Sequence, residues 1–460
     1  MRYVALAAGY EGTLARNGRC DARCIDSLHS VAASGRKLIL VAGRVLRELL
    51  ETFPEARLFD YIVAENGAVM YRPATRESAI LAQAPPEILL HELQRRAVAP
   101  LSVGSSSINT SDSNRSLVAD ALQKLGLDFQ ILSNEGVMSV LPPGVDKAYG
   151  VQAALKELGL SQHNLVAIGD GENDIALFEL AEHAAAVRDA DPALKRVADQ
   201  TTRGECSEGF LELTKDLIAT DLAAAPPRKR IFLGRCDDGR EIWIAPGRDS
   251  LIVCGPAGAS QSAVCERLLQ ELLALEYQCC IVEDETGGDR TVRSGVAAFG
   301  EAHDAPRLTD AMNALEQPAM SVAMNVAALP AEMRPMFTEA LLVHLQALHD
   351  RVGRPHCILL KQAHRLLAGE SAASTARLAE VTMVYATAEP QRLPTHILRG
   401  VKLIVAPGGP IRAALAPGDF RETAHATIAG GESLPISVLR ADSSRPDPPS
   451  SDARSRFSGY

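Results

Sequence analysis

The chain has 460 residues, 47% hydrophobic and only 4% aromatic, and a net charge of −10 at pH 7. Its length suits about three domains at roughly 100–200 residues each. The acidic balance argues against a general nucleic-acid surface and against binding to anionic membranes, and no apolar run approaches the roughly 18 residues of a membrane span.

Met1 leads straight into an apolar strand, with no signal-peptide core or cleavage site. The first 220 residues then alternate short apolar strands with amphipathic helices, the pattern of a parallel sheet wound by right-handed crossovers. Strands are expected over 3–8, 37–42, 61–64, 165–168 and 184–187, and helices over 20–34, 47–52 and 174–181. Between 72 and 144 the texture changes. Helices are expected at 85–96 and 116–125, and strands at 100–110, 129–132 and 137–141. This reads as a small α+β insertion over the carboxyl edge of the sheet, where open α/β sheets bind ligands.

The segment Ala223-Ala224-Ala225-Pro226-Pro227-Arg228-Lys229-Arg230 reads as a linker. Strands at 231–234 and 241–244 predict a small β element, and a second α/β pattern starts at Ser250. The last 20 residues, rich in Ser, Pro, Asp and Arg, cannot bury a face and are expected to be disordered. Nine scattered cysteines without a CxxC pair read as thiols in a reducing cytoplasm, not as zinc ligands.

Two stretches carry the chemistry of phosphate sites with key groups replaced. Transfer of a phosphoryl group to a carboxylate needs an Asp at a strand end, an acid two residues later, a metal, and a hydroxyl and a lysine for the remaining oxygens. The first strand runs into Gly9-Tyr10-Glu11-Gly12-Thr13-Leu14. Val41-Ala42-Gly43-Arg44, Glu65-Asn66-Gly67-Ala68, Lys147 and Gly169-Asp170-Gly171-Glu172-Asn173-Asp174 follow in order.

From 1 to about 222 the chain resembles the Cof-type phosphatases of the haloacid dehalogenase superfamily, whose cap lies between the second and third motifs. The resemblance implies a Rossmann-like core at 1–71 and 145–222 with the cap at 72–144. It places the nucleophile at Gly9 and the acid/base at Glu11. Phosphate contacts fall at Ala42, Gly43, Arg44, Asn66 and Lys147, and Mg²⁺ at Asp170 and Asp174. Gly9 has no carboxylate, Glu11 is one methylene longer than the family's Asp, and Ala42 has no hydroxyl. Weak Mg²⁺ and phosphorylated-ligand binding is the expectation, without the family's covalent catalysis. Each retained residue also has a structural reading. Asp170 and Asp174 suit a helix N-terminus, Lys147 a solvated helix start, and Glu11 a turn.

The second stretch is a strand at 250–254, Gly255-Pro256-Ala257-Gly258-Ala259-Ser260-Gln261-Ser262, and a helix to 275. Against the phosphate-binding pattern GxxxxGK[ST], Gly255 and Ser262 fit, Ser260 replaces a glycine, and Gln261 replaces the lysine. Downstream, Cys357–Leu360 is expected to be a strand leading into Lys361-Gln362-Ala363-His364. Over roughly 231–410 the chain resembles HerA-type P-loop ATPases, in which an Asp-Glu-Ala-His segment stands at this point. Lys361 then replaces a metal-side acid and Gln362 the water-activating Glu. Glu283, Asp284, Glu285 and Thr387 fall where that family has further site residues. ATP binding and hydrolysis are not expected.

The sequence thus predicts a cytoplasmic two-part pseudoenzyme over 1–222 and 231–440, joined by a linker at 223–230 and ending in a tail at 441–460. It would act as a binding or regulatory module with an unidentified protein partner. The alternative is an active Mg²⁺-dependent phosphatase acting on a small phosphate ester.

Overall fold

In a computed structural model the chain is described for all residues except 135, 237–240, 256–258, 286–293, 302, 368–377, 379, 402, 408–419, 429–434 and 442–460. Two compact units emerge: Met1–Arg230 with Asn313–Met320 and Ala347–Pro355, and Ile231–Met312 with Ser321–Gln346 and the chain from His356 onward.

In the first unit the elements run β1 (Ala5–Gly9), α1 (Ala22–Ala33), β2 (Lys37–Val41), α2 (Leu46–Thr52), β3 (Tyr61–Ala64), β4 (Val69–Arg72) and β5 (Glu77–Ile80). Then come α3 (Glu87–Arg95), β6 (Leu101–Val103), β7 (Ile108–Ser111), α4 (Arg115–Leu125), β8 (Gln130–Asn134) and β9 (Val137–Leu141). The unit ends with α5 (Lys147–Leu158), β10 (Leu165–Gly169), α6 (Ile175–Leu180), β11 (His183–Ala186), α7 (Pro192–Val197), β12 (Gln200–Thr201) and α8 (Cys206–Thr220).

One eight-stranded sheet has the order β12-β11-β10-β1-β2-β3-β4-β5. It is parallel from β12 to β3 and antiparallel across β3, β4 and β5. Every residue of β1, β3, β10 and β11 is buried, as expected of parallel strands covered on both faces. Asp21 starts α1 by accepting the Cys24 N–H, and Asp146 starts α5 by accepting that of Tyr149. Left-handed Gly159 closes α5.

A second sheet, β6-β7-β9-β8, is antiparallel. Its apolar face packs Ile108, Met138 and Val140 against Leu89, Leu93 and Leu122 of α3 and α4. Two expectations need correction. The strand expected over 100–110 is a hairpin, because Gly104-Ser105-Ser106-Ser107 turns back, with the Gly104 N–H donating to the Ser107 carbonyl. Residues 77–80, inside the stretch read as cap, pair with β4 and extend the core sheet.

The second unit holds β13 (Ile231–Cys236), β14 (Glu241–Ile244), β15 (Leu251–Cys254), α9 (Ala259–Ala274), β16 (Cys279–Glu283), β17 (Val296–Phe299), α10 (from Leu308) and β18 (Ser321–Asn325). After α11 (from Arg334) come β19 (Cys357–Lys361), α12 (Ala363–Leu366), β20 (Thr382–Thr387), α13 (Thr395–Gly400), β21 (Leu403–Pro407), β22 (Phe420–Ile428) and β23 (Pro435–Ala441). Its sheet order is β14-β13-β22-β23-β21-β15-β20-β19-β16-β18-β17, parallel from β21 to β17. The β element expected at 231–244 is therefore the antiparallel end of this sheet, joined through β22. The tail expected to be disordered lies outside the described residues, apart from Ala441. Among the described residues no helix is long and apolar enough to cross a membrane.

Candidate functional site

The chain leaves β1 toward β2 on one side of the sheet, and β10 later takes the other side. Their carboxyl ends therefore form a topological switch point, where an open α/β sheet leaves a crevice. Gly9 ends β1 and Gly169 ends β10, so the turns after them face each other. Thr13 Oγ1 donates to Asp170 Oδ1 at 2.8 Å and joins the two turns. Gly12 has φ of +69°, and a Cβ there would lie 2.0 Å from Asp170 Oδ2. Only glycine permits that approach.

The predicted site residues do come together here, but most are already engaged. Glu11 forms an ion pair with Arg44, whose guanidinium also lies over the Tyr10 ring at 5.5 Å from its centroid. Burial, the largest influence, pushes the Tyr10 phenol above its ordinary pKa. Lys147, 5% exposed, donates to Asp174 Oδ1 at 2.6 Å and to Asn173 Oδ1 at 3.0 Å. Asp174 is fully buried, and its Oδ2 accepts the backbone N–H groups of Asp170 and Gly171, each at 3.2 Å. Ala42 is buried and uses its N–H on the Val63 carbonyl.

Asn66, at φ +50°, donates to Ser139 Oγ at 2.9 Å and accepts from Asn173 Nδ2 at 3.1 Å. The neighbouring Glu65 was not predicted as a site residue. Its buried carboxylate accepts the Ser105 and Ser106 N–H groups and the Ser107 hydroxyl at 2.9–3.0 Å. It thereby fastens the β6–β7 turn to the core. A second missed contact is Asn109, whose Nδ2 donates to the Gly43 carbonyl at 3.1 Å. Glu65 stands out as a charge directly after the apolar run at 61–64, whereas nothing in the serine-rich stretch around Asn109 marks it.

Between the core and the four-stranded sheet of this unit lies a cleft of about 1140 Å³. Glu11, Gly43, Arg44, Asn66, Lys147 and Asn173 all line it. These residues do not fit a resident Mg²⁺ ion. Gly9 offers no carboxylate, Asp174 already holds Lys147 and two N–H groups, and Asp170 Oδ1 takes the Thr13 hydroxyl. Among the described residues no group of three or more His, Cys, Asp or Glu side chains is placed to hold a metal.

Restoring the missing carboxylate is sterically feasible. A Cβ at Gly9 would lie 2.9 Å from Thr13 Oγ1 and 3.6 Å from the Ile168 carbonyl oxygen. The Thr13 hydroxyl can rotate away, giving up its bond to Asp170. Gly9→Asp is expected to fold at a cost of about 1–3 kcal/mol, read from thermal unfolding.

In the second unit, β15, β20, β19 and β16 are consecutive neighbours. Gln261 is 5% exposed, and its Nε2 donates back to the Val253 carbonyl at 3.1 Å and the Gly255 carbonyl at 3.3 Å. Lys361 ends β19 with its ammonium 3.1 Å from Glu283 Oε2 and 3.7 Å from Glu266 Oε1. Gln362 adopts φ of +56° and starts α12. His364 Nδ1 lies 2.9 Å from Thr387 Oγ1, and burial lowers the imidazole pKa. Asp284 pairs with Arg334 at 2.6 Å. Ser262 is exposed. Residues 256–258 and the Ser260 side chain lie outside what is described.

A family model described as haloacid dehalogenase-like hydrolase matches residues 103–213. The phosphoglycolate phosphatase of Methanothermobacter thermautotrophicus is 25% identical over 216 residues, covering 46% of this chain and 97% of that protein. The phosphoglycolate phosphatase of Natronomonas pharaonis is 29% identical over 223 residues, 45% of this chain and 94% of its own length. A solved haloacid dehalogenase-like hydrolase from Bacteroides thetaiotaomicron aligns with 47% of this chain and 99% of that chain, at 18% identity and a TM-score of 0.43. The N-terminal half of the chain thus holds an α/β domain of the haloacid dehalogenase-like hydrolase superfamily.

Proposed function

We propose that this domain is a phosphatase-like binding module that does not hydrolyse phosphate esters, and that the whole chain acts by binding or regulation. The observation that carries this reading is the end of β1. Gly9 stands at the position the superfamily resemblance gives to the nucleophile, and the carboxylates nearby already have partners, Asp170 the Thr13 hydroxyl. Glu11 is held by Arg44, and Asp174 by Lys147 and two backbone amides. Loss of a covalent nucleophile lowers turnover by about 10⁶-fold where it has been measured, and loss of its helpers adds little.

We extend the reading to the second unit as a P-loop ATPase-like framework of HerA type with its reactive groups replaced. Two features support it. The strand–turn–helix unit β15–α9 stands inside a parallel sheet, and β19, carrying Lys361, lies two strands away across β20. Lys361 brings a positive charge to the place where that resemblance puts a metal-side acid. It is neutralised by Glu283 and Glu266 and leaves no anionic pair for Mg²⁺. Gln261 spends its amide on the chain's own carbonyls, where a lysine would reach for phosphate.

Phosphate release from phosphoglycolate, the ester in the relatives' name, and from glucose 6-phosphate, both with Mg²⁺, tests the first part. No turnover above the blank is expected from the full chain. Mg²⁺-dependent turnover that disappears in Asp170→Asn would favour an active phosphatase instead. Calorimetry with Mg-ATP tests the second part, and no binding at millimolar nucleotide is expected.

A further inference from the structure

Resting on the reading of the first domain as a binding module, the geometry points to an uncharged, hydroxyl-bearing ligand for its cleft, a polyol rather than a phosphate ester. A phosphate dianion is held by cations whose charge is not already spent. Three cationic side chains line this cleft, against four carboxylates, and each cation has a carboxylate partner. Arg44 pairs with Glu11, Lys147 with the buried Asp174, and Arg16 with Asp189 at 3.0 Å and Glu205 at 3.2 Å. Hydrogen bonds from Arg188 and then Arg16 hold the Glu205 carboxyl below its ordinary range, so it stays anionic at neutral pH. A phosphate ester entering here must break one of these pairs or bring its charge in uncompensated.

Elsewhere the lining is rich in neutral amides and hydroxyls. Asn109 is the informative one. It is 7% exposed, and its donation to the Gly43 carbonyl fixes which amide atom is oxygen. Its Oδ1 is buried and has no hydrogen-bond partner. A buried acceptor left in this state calls for a donor. A fully ionised phosphoryl group has none to offer, whereas a hydroxyl donates and accepts at once. This acceptor therefore selects for hydroxyls, while the paired charges select against the phosphoryl group. Ser111, two residues along β7 and so on the same face, also lines the cleft. Its hydroxyl extends a polar wall suited to a second hydroxyl.

Matched pairs test the proposal on the full chain: glycerol and glycerol 3-phosphate, glucose and glucose 6-phosphate, myo-inositol and its monophosphate. Thermal shift and calorimetry read binding, and free phosphate is assayed in the same samples. At least one polyol is expected to raise the melting temperature by about 2 °C at millimolar concentration, with its phosphate ester binding more weakly. Asn109→Ala should reduce that polyol's affinity about tenfold. Glu11→Gln, which releases Arg44, should move the preference toward the ester by about tenfold without touching Asn109. The proposal is overturned if no polyol binds, or if the unaltered chain binds any ester more tightly than its parent. Release of phosphate would instead overturn the binding-module reading itself, so the two failures are distinguishable.

Discussion

Lys147→Ala is expected to lower the stability of the first domain by about 3–5 kcal/mol, because it leaves the fully buried Asp174 carboxylate without its cation. The two backbone amides on Asp174 Oδ2 remain, but they cannot balance a full charge away from water. Lys147→Met, which keeps the aliphatic stem, should lose nearly as much, since the ammonium is the group that matters. The measurement is the first thermal transition of the full chain, with a drop of about 6 °C or more. A lysine serving chiefly to meet a solvent-borne phosphate would behave otherwise. Its removal would leave the unliganded melting temperature almost unchanged.

The second large effect is expected at Gly67→Ala. Gly67 sits at φ +101°, and a Cβ there would fall 1.8 Å from the Asp146 carbonyl oxygen and 2.6 Å from its carbon. Both are backbone atoms at the start of α5, so no side-chain rotation relieves the contact. Across the gap Gly150 is equally constrained: a Cβ on it would meet Val63 Cγ1 at 2.4 Å and Gly67 Cα at 2.7 Å. Separating α5 from the turn would displace Lys147 from Asp174 as well. A loss of roughly 4 kcal/mol or more follows, and circular dichroism melting of the purified variant measures it. Gly126→Ala is the contrasting control. It has a similar left-handed φ of +62° but nothing within 4 Å, so only the modest backbone penalty of about 1 kcal/mol applies.

The parallel strands expected in the first domain, and those expected at 250–254 and 357–360, lie within about two residues of the observed ones, because each is a short, buried apolar run bounded by turn residues. Strands β12, β17, β18 and β21 were not expected. The hairpin at 101–111 was hidden by its own β-branched, serine-rich composition. Its turn is set by a distant partner, the Glu65 carboxylate, which no local pattern reveals. Strand β5 is exposed along its whole length, so no hydrophobic alternation marks it as part of the core sheet. In α11 the buried Leu341, Leu342 and Leu345 are matched by the exposed Met336 and Val343. The apolar stripe that signals a surface helix is blurred there.

At the site, the meeting of Gly9, Lys147, Asp170 and Asp174 was readable only through the resemblance to the Cof-type phosphatases, which implies the pairing of β1 with β10. How the charges pair was not. Lys147 as a solvated helix-start residue is excluded by its burial against Asp174, and Glu11 as a plain turn residue by its ion pair with Arg44. Those partners depend on side-chain distances between segments 27 to 33 residues apart. Asn109, with its unpartnered Oδ1, belongs to the same class of fact.

The central claim is that the cleft lacks the means to take a phosphoryl group. A single-turnover experiment addresses it most directly: the full chain in excess over radiolabelled phosphoglycolate with Mg²⁺, quenched over time and separated into ester, free phosphate and protein-bound phosphate. The account predicts that all label stays in the ester, in the unaltered chain and in Asp170→Asn alike. Label that appears on the protein or as free phosphate in the unaltered chain, and is lost in Asp170→Asn, would contradict it.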